Sequence, residues 1–267
     1  MSLITLTTDF GTRDPYVAQL KAALYRRGPS GLQVVDLSHD LPAQNVLEAA
    51  RFVADALPQF PAGTIHLVIV DPGVGSARRP LAIRAGEQLC VGPDNGVLSL
   101  LYDAELEAVA IEPERLGITQ LSATFHGRDL FAPAAAFLAS GNPLESLGKR
   151  LDPRTADLVR VAFPEPARDA AGFVGEVIHI DRFGNLITSL RSAELHTLAR
   201  EDAAGGAFAL TLRGKSSRIV GHYAEVPEGC LLGVLGSSDR LEIAVRNGNA
   251  AEHTGARIGD RVRLEAV

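Results

Sequence analysis

Thr64-Ile65-His66-Leu67-Val68-Ile69-Val70 is an almost unbroken apolar run that ends on Asp71-Pro72-Gly73. A strand with one wet face alternates polar and apolar residues, whereas a run without alternation marks a strand covered on both faces. Upstream, Leu3 to Thr8 is a short β-favouring stretch, after which Val17, Leu20 and Leu24 recur at helical spacing until Gly28-Pro29. Leu32 to Leu37 reads as another strand. Asn45, followed three residues later by Glu48, has the form of a helix-starting capping pair. Val46, Leu47, Ala50, Val53, Ala54 and Leu57 then fall on one helical face. This alternation predicts an α/β N-terminal domain whose mostly parallel sheet is flanked by helices. Residues 81–85 and 106–112 supply further strands, and Leu130 to Ala139 a helix.

Past residue 150 the texture changes. Residues 152–172 carry Pro153, Pro164 and Pro166 among scattered charges, with little periodicity, as in a connecting segment. The strands that follow are short and separated by glycine-bearing turns: 173–180, 185–190, 207–213, 217–221, 231–235, 241–246 and 257–264. That pattern fits a small barrel or sandwich better than another strand–helix–strand unit. The expected organisation is an N-terminal domain over 1–160, a linker over 161–172 and a smaller all-β, barrel-like domain over 173–267.

The chain has 267 residues, 46% of them apolar and 22% charged, as in ordinary globular proteins. No apolar stretch reaches the roughly 18 residues of a bilayer span. Met1-Ser2-Leu3-Ile4 has neither the basic flank nor the apolar core of an export signal. A formal net charge of −6 without a basic block argues against a nucleic-acid or membrane partner. Cys90 and Cys230 stand far apart and outside any C-x-x-C pair, which argues against a disulfide scaffold or a thiolate zinc site. The expected location is cytoplasmic.

In open α/β sheets, ligands bind beyond the carboxyl ends of strands. Asp9, Ser38-His39-Asp40 and Asp71 all fall at such ends, although each alone is also an ordinary cap position. In Asp71-Pro72-Gly73-Val74-Gly75-Ser76-Ala77-Arg78-Arg79-Pro80, a carboxylate closes a buried strand, two glycines permit a tight loop and two arginines follow. Such a loop can fold the Arg78 guanidinium back onto Asp71 in charge-assisted hydrogen bonds. The same letters also spell a common turn and a surface arginine pair. The Walker lysine and the G-x-G-x-x-G order are missing, so phosphate binding is poorly supported. Thr124-Phe125-His126-Gly127-Arg128-Asp129 sets a histidine and a glycine just before the expected helix, although a lone histidine is more often structural. Gly92-Pro93-Asp94-Asn95-Gly96 reads as a turn. Ile180-Asp181-Arg182-Phe183-Gly184-Asn185 offers a carboxylate, a ring and an amide within five positions. Such a set could grip ribose hydroxyls and an adenine face, and it equally fits a hairpin turn. Gly236-Ser237-Ser238-Asp239 is a second polar turn, leading into Leu241-Glu242-Ile243-Ala244-Val245.

Taken together, T-T-D-F-G-T at 7–12, D-P-G-V-G at 71–75, G-P-D-N-G at 92–96, F-H-G-R-D at 125–129, I-D-R-F-G-N at 180–185 and L-E-I-A-V at 241–245 carry a specific resemblance. The chain resembles the adenosine-forming S-adenosyl-L-methionine (SAM) hydrolases, also called SAM hydroxide adenosyltransferases, which are relatives of the SAM-dependent fluorinase and chlorinase. The resemblance spans nearly the whole chain. It implies a homotrimer of subunits with an α/β domain and a β-barrel, and SAM bound between the first domain of one subunit and the second domain of its neighbour. Asp9 and Asp71 would then face Asp181 and Asn185 across a subunit boundary. Asp9 matches an aspartate that contacts the amino-acid end or the ribose. Asp71, Arg78 and His126 match the catalytic trio that holds the attacking water, with spacing favouring Arg78 over Arg79. Asp181, Phe183 and Asn185 match positions near methionine and adenine, and Tyr223, Ser237, Glu242 and Val245 match further ligand-lining positions. SAM is the substrate, adenosine and L-methionine are the products, and neither a metal nor another cofactor is implied.

One departure stands out. Relatives commonly read N-S-S-G where this chain has Gly236-Ser237-Ser238-Asp239, which unsettles the matches at Ser237 and Ser238. The halogenating relatives carry tyrosine in place of Asp71, lack the His126 match and have an extra loop for which residues 81–92 are too short. A carboxylate beside the electrophilic carbon repels a halide and accepts a proton from water, so water or hydroxide is the expected nucleophile. Two other functions stay open at this level: a SAM- or adenosine-binding protein with little turnover, and a 5′-halogenating enzyme. A metal hydrolase built from Asp9, His39, Asp71 and His126 lacks H-x-H or H-E-x-x-H spacing.

Overall fold

The computed structural model describes residues 2–201 and 206–267. The chain divides into two compact units, Met1–Ala162 and Phe163–Val267. The first contains β1 (Leu3–Thr8), α1 (Tyr16–Arg27), β2 (Gln33–Ser38), α2 (Val46–Ala56), β3 (Ile65–Ile69), β4 (Pro80–Ala85), β5 (Gln88–Pro93), β6 (Glu107–Ile111), α3 (Ala132–Ala139) and β7 (Gly148–Leu151). Its seven strands lie in the order β2-β1-β3-β5-β4-β6-β7.

The uninterrupted apolar run is explained by two cores. Ile65, Leu67 and Ile69 pack with Leu20 and Leu24 of α1 and with the alanine-rich α3. Val68 and Val70 pack on the opposite face with Ala49 and Val53 of α2. The pairs β1–β2, β1–β3 and β3–β5 are parallel. The pairs β4–β5, β4–β6 and β6–β7 are antiparallel. The sheet is therefore mixed, and its parallel character is confined to the half that carries Asp9, Ser38 and Asp71. The switch comes from the link between Ala85 and Gln88, which are paired across a hairpin. So short a link cannot make the crossover that a parallel pair needs.

Two local findings refine the sequence reading. Gly92 and Pro93, read as part of a turn, end strand β5. A Cβ on Gly92 would lie 2.6 Å from the Val68 carbonyl, so the glycine permits a close backbone approach. The helix expected from Leu130 begins earlier, with a wide π-helical turn over Gly127–Phe131 in which the Ala132 N–H reaches the Gly127 carbonyl. Such turns occur often at functional sites. The expected cap at Asn45 forms: its side-chain oxygen accepts from the Glu48 N–H at 3.0 Å.

The second unit contains β8 (Ala167–Arg168), β9 (Gly172–Ile180), β10 (Leu186–Arg191), α4 (Ser192–Glu201), β11 (Phe208–Leu212), β12 (Lys215–Val220), β13 (Leu231–Leu235), β14 (Arg240–Val245), α5 (Ala250–Thr254) and β15 (Arg261–Ala266). Strands β10-β14-β13-β12-β11-β15-β9 run in sequence around a ring that the β9–β10 pairing closes into a barrel. Alternate residues such as Leu241, Ile243 and Val245 fill its interior. The short β8, inside the stretch expected as linker, pairs with β9. Among the described residues no helix is long and apolar enough to cross a membrane.

Candidate active site

Asp71 leaves β3 at the carboxyl edge of the parallel half-sheet, and the loop to β4 brings Arg78 back to it. Gly75 makes that return possible. Its φ is +79° and a Cβ would lie 2.6 Å from the Ala123 carbonyl, so a side chain there would push the loop off the segment leading to His126. The Arg78 Nε donates to both Asp71 oxygens, at 2.8 and 2.9 Å, and a terminal guanidinium nitrogen donates to Oδ2. That nitrogen also lies 3.0 Å from His126 Nδ1. The Asp71 and Arg78 side chains are only 5% and 8% exposed. The sequence-predicted trio is thus a contiguous hydrogen-bonded unit. Arg79 turns the other way, bonding Asp94 at 2.7 Å and the carbonyls of Ala156 and Asp157 at 2.6 Å each.

The hydrogen-bond logic sets the state of His126. An arginine N–H only donates, so Nδ1 must accept and a neutral ring carries its proton on Nε2. Burial, reinforced by the Arg78 charge, holds the imidazole pKa below its ordinary value, which keeps the ring neutral near pH 7.

Asp71 and His126 line a cavity of about 490 Å³ together with Asp9, Phe10, Tyr16 and Phe125. Asp9 Oδ2 accepts from the Gln44 N–H at 2.8 Å, and Gln44 itself takes the left-handed conformation with φ 64°. A neighbouring opening of about 580 Å³ beside Arg26 and Arg27 lacks Asp71 and His126 from its walls. His39 is engaged elsewhere: Nδ1 lies 2.8 Å from the Thr8 hydroxyl and Nε2 3.1 Å from Asp36. Among the described residues no group of three or more His, Cys, Asp and Glu is placed to hold a metal ion.

The barrel carries a second polar cluster. In the β9–β10 turn, Asp181 Oδ1 accepts from the Phe183 and Asn185 N–H groups at 2.8 and 2.9 Å, and Oδ2 accepts from the Asn185 amide at 2.9 Å. Asp181 and Asn185 therefore hold the turn together, with Phe183 at its tip 74% exposed. The Tyr223 hydroxyl donates to Glu242 at 3.4 Å. Burial, and then the like charge of Asp181, raises the Glu242 pKa. Burial and the Glu242 charge likewise raise that of Tyr223.

The departure from N-S-S-G has a structural counterpart. Gly236 packs so closely on Glu242 that a Cβ would overlap its Oε1. Asp239 occupies a left-handed position with φ 60°, which favours glycine. Ser237 is exposed on the turn between β13 and β14. Val245 is not gathered with the others: its side chain packs into the barrel core beside Leu241 and Ile243, so only its main chain is available to a ligand. The sequence reading assigned no role to the rings of Phe10 and Phe125, although both stand inside quoted motifs, and it gave no signal for Tyr16 or Gln44.

Residues 4–148 match the SAM hydroxide adenosyltransferase N-terminal domain and residues 175–263 its C-terminal domain. The chain is 42% identical over 273 residues to a (R)-S-adenosyl-L-methionine hydrolase of Thermus thermophilus, covering 99% of this chain and 100% of that one. A crystal structure of an uncharacterized conserved protein from Thermotoga maritima superposes with a TM-score of 0.87 at 32% identity, covering 98% of this chain and 99% of that one. A fluorinase of Actinoplanes sp. is 29% identical over 220 residues, covering 72% of this chain and 73% of that one.

Proposed function

The chain belongs to the SAM hydroxide adenosyltransferase family, and on that premise we propose that it hydrolyses SAM to adenosine and L-methionine by in-line attack of water at ribose C5′. The observation that carries this reading is the hydrogen-bonded Asp71–Arg78–His126 unit, of which Asp71 and His126 line a cavity of substrate size. The water oxygen forms the new bond to C5′. The C5′–S bonding pair returns to sulfur, and methionine leaves as a neutral thioether. A sulfonium is already an activated leaving group, so neither an acid nor a metal nor a second cofactor is required.

The work left to the protein is to hold the water in line and manage its proton. Positioning of this kind removes at most about 7–11 kcal/mol of a barrier, and a positioned base contributes ~10²–10⁴-fold. Arg78 occupies part of each Asp71 oxygen and fixes its direction, leaving a lone pair that orients the water and takes its proton as the C5′–O bond forms, so that neutral adenosine results. His126, with its proton on Nε2, supplies a neutral donor beside it. A carboxylate at this point also disfavours a halide nucleophile.

In this reading Asp9 contacts the ribose or the amino-acid end. Asp181, Phe183, Asn185, Tyr223, Ser237, Glu242 and the Val245 main chain form the complementary wall. We take the working form to be a cytoplasmic homotrimer in which one copy's barrel cluster completes another copy's cavity. Cys90 and Cys230 are both free, in keeping with a reducing compartment.

The decisive test is to incubate the protein with SAM in ¹⁸O-labelled water and identify the products by mass spectrometry. Adenosine labelled at its 5′ oxygen, plus unlabelled methionine, is expected. SAM recovered intact would indicate a binding protein, and a 5′-halogenated nucleoside formed in added chloride or fluoride would indicate a halogenating enzyme. The shared site has its own test. Asp71→Asn and Asp181→Ala chains, each poorly active alone, should regain activity when unfolded and reassembled together. No recovery would contradict a site built from two copies.

A further inference from the structure

Three aromatic rings without an assigned task stand on the wall of the Asp71 cavity. Phe10 follows Asp9 beyond β1, Tyr16 opens α1 and Phe125 precedes His126. The Phe10–Tyr16, Phe10–Phe125 and Tyr16–Phe125 centroids lie 6.0, 5.7 and 5.5 Å apart, with interplanar angles of 64°, 77° and 88°. Rings set so steeply to one another meet like the walls of a corner and do not form a stack. Tyr16 is 47% exposed, whereas Phe10 and Phe125 are half-buried and Phe10 also packs against the first core. The group already holds one cation: the Arg128 guanidinium lies 5.0 Å over the Phe125 ring, its charge answered by Asp129.

A sulfonium poses a particular recognition problem. Its positive charge is spread over sulfur and the attached carbons, and it has no N–H or O–H to donate. Carboxylates therefore attract it without a directed hydrogen bond, whereas aromatic faces bind such weakly hydrated cations well. We propose that Phe10 and Tyr16 receive the substrate's sulfonium against their ring faces, and that Phe125, capped by Arg128, braces them. This rests on the SAM reading above and makes the two rings the determinants of charge selectivity in that site. The attraction is strongest before reaction and fades as the sulfur regains its electron pair. It therefore contributes to capture of SAM and release of methionine, and not to the chemical step.

The test is calorimetry on Asp71→Asn protein, which binds without turnover, using SAM and its neutral thioether counterpart, S-adenosylhomocysteine. Phe10→Leu or Tyr16→Leu is expected to weaken SAM binding by about 2-fold to 30-fold, the range of a cation–π contact, and to leave the thioether within about twofold. In the otherwise unaltered enzyme the same changes should raise KM and spare kcat. Unchanged SAM affinity overturns the proposal. Should a leucine variant lose both ligands, stepwise fluorination of phenylalanine at position 10 decides, because it keeps the shape and drains the ring face. SAM affinity must then fall with each fluorine while thioether affinity stays level, and a level response for SAM overturns the proposal. Absence of adenosine formation by the unaltered enzyme would refute hydrolysis while leaving the affinity ratio measurable. Absence of SAM binding would refute both.

Discussion

The cavity of the first unit and the polar cluster of the barrel handle charge in opposite ways. Asp71 is buried but meets Arg78 through both oxygens, and His126 completes the unit as a neutral ring. Glu242 is also buried, but its neighbours are the like charge of Asp181 and a tyrosine hydroxyl, and its pKa rises. A buried charge is tolerated when paired and costly otherwise. The first arrangement therefore suits a group that must hold one direction throughout a reaction. The second sets a buried carboxylate beside a like charge.

The largest consequence of this contrast concerns Asp71. Asp71→Asn keeps the shape and removes the charge, so adenosine formation should fall by ~10²–10⁴-fold, while calorimetry finds SAM affinity little changed. Unaltered turnover would end the distinction between the two regions. Next, Arg78→Gln leaves a buried carboxylate without its cation. Urea unfolding should show a loss approaching about 3–5 kcal/mol, and breaking an exposed pair such as Arg263–Asp169 should cost far less in the same experiment.

Acid should separate the regions further. His66 in β3 is buried, and desolvation lowers its pKa from 6.5 to about 4. The unfolded chain therefore binds a proton that the native chain refuses, and stability falls as pH drops from 6.5 towards 4. Between pH 7 and pH 5 this amounts to about 2 kcal/mol. Glu242 works with the opposite sign: its folded pKa is raised above 4.5, so it destabilises at neutral pH and that cost is relieved on acidification. Opening free energies from hydrogen exchange, corrected for intrinsic rates, should drop in β3 and hold or rise in β14. Equal changes in both would contradict the assignment.

Gly236→Ala should displace Glu242 and weaken SAM binding about tenfold, a typical consequence of roughly 1.4 kcal/mol, with kcat at saturation retained. Smallest of all, Tyr223→Phe removes one long hydrogen bond and should change KM by no more than about fivefold.

The strong apolar runs carried most of the fold. Residues 64–70 announced a strand buried on both faces, and the polar residues at the ends of β1, β2 and β3 followed from that. The loop from Asp71 to Arg78 was legible because the choice of residue types between them is narrow. What stayed hidden depended on partners distant in sequence. The end of strand β5 reads as a turn because Gly92 answers to the Val68 backbone, which no local pattern reveals. Helix α4 falls inside a run of expected strands; it anchors to the barrel through Leu198, with Leu195 packing beside it. The motif match at Val245 could not show that its side chain turns into the barrel. The rings of Phe10, Tyr16 and Phe125 come from three separate segments and become a group only in the folded chain.

The central claim is that Asp71 aims a water at C5′ and does not attack that carbon itself. SAM made chiral by deuterium at C5′ tests it directly, read out by the configuration of the adenosine formed. A single in-line displacement by water predicts complete inversion. Retention would mean two successive displacements through an ester on the enzyme, and would contradict the account.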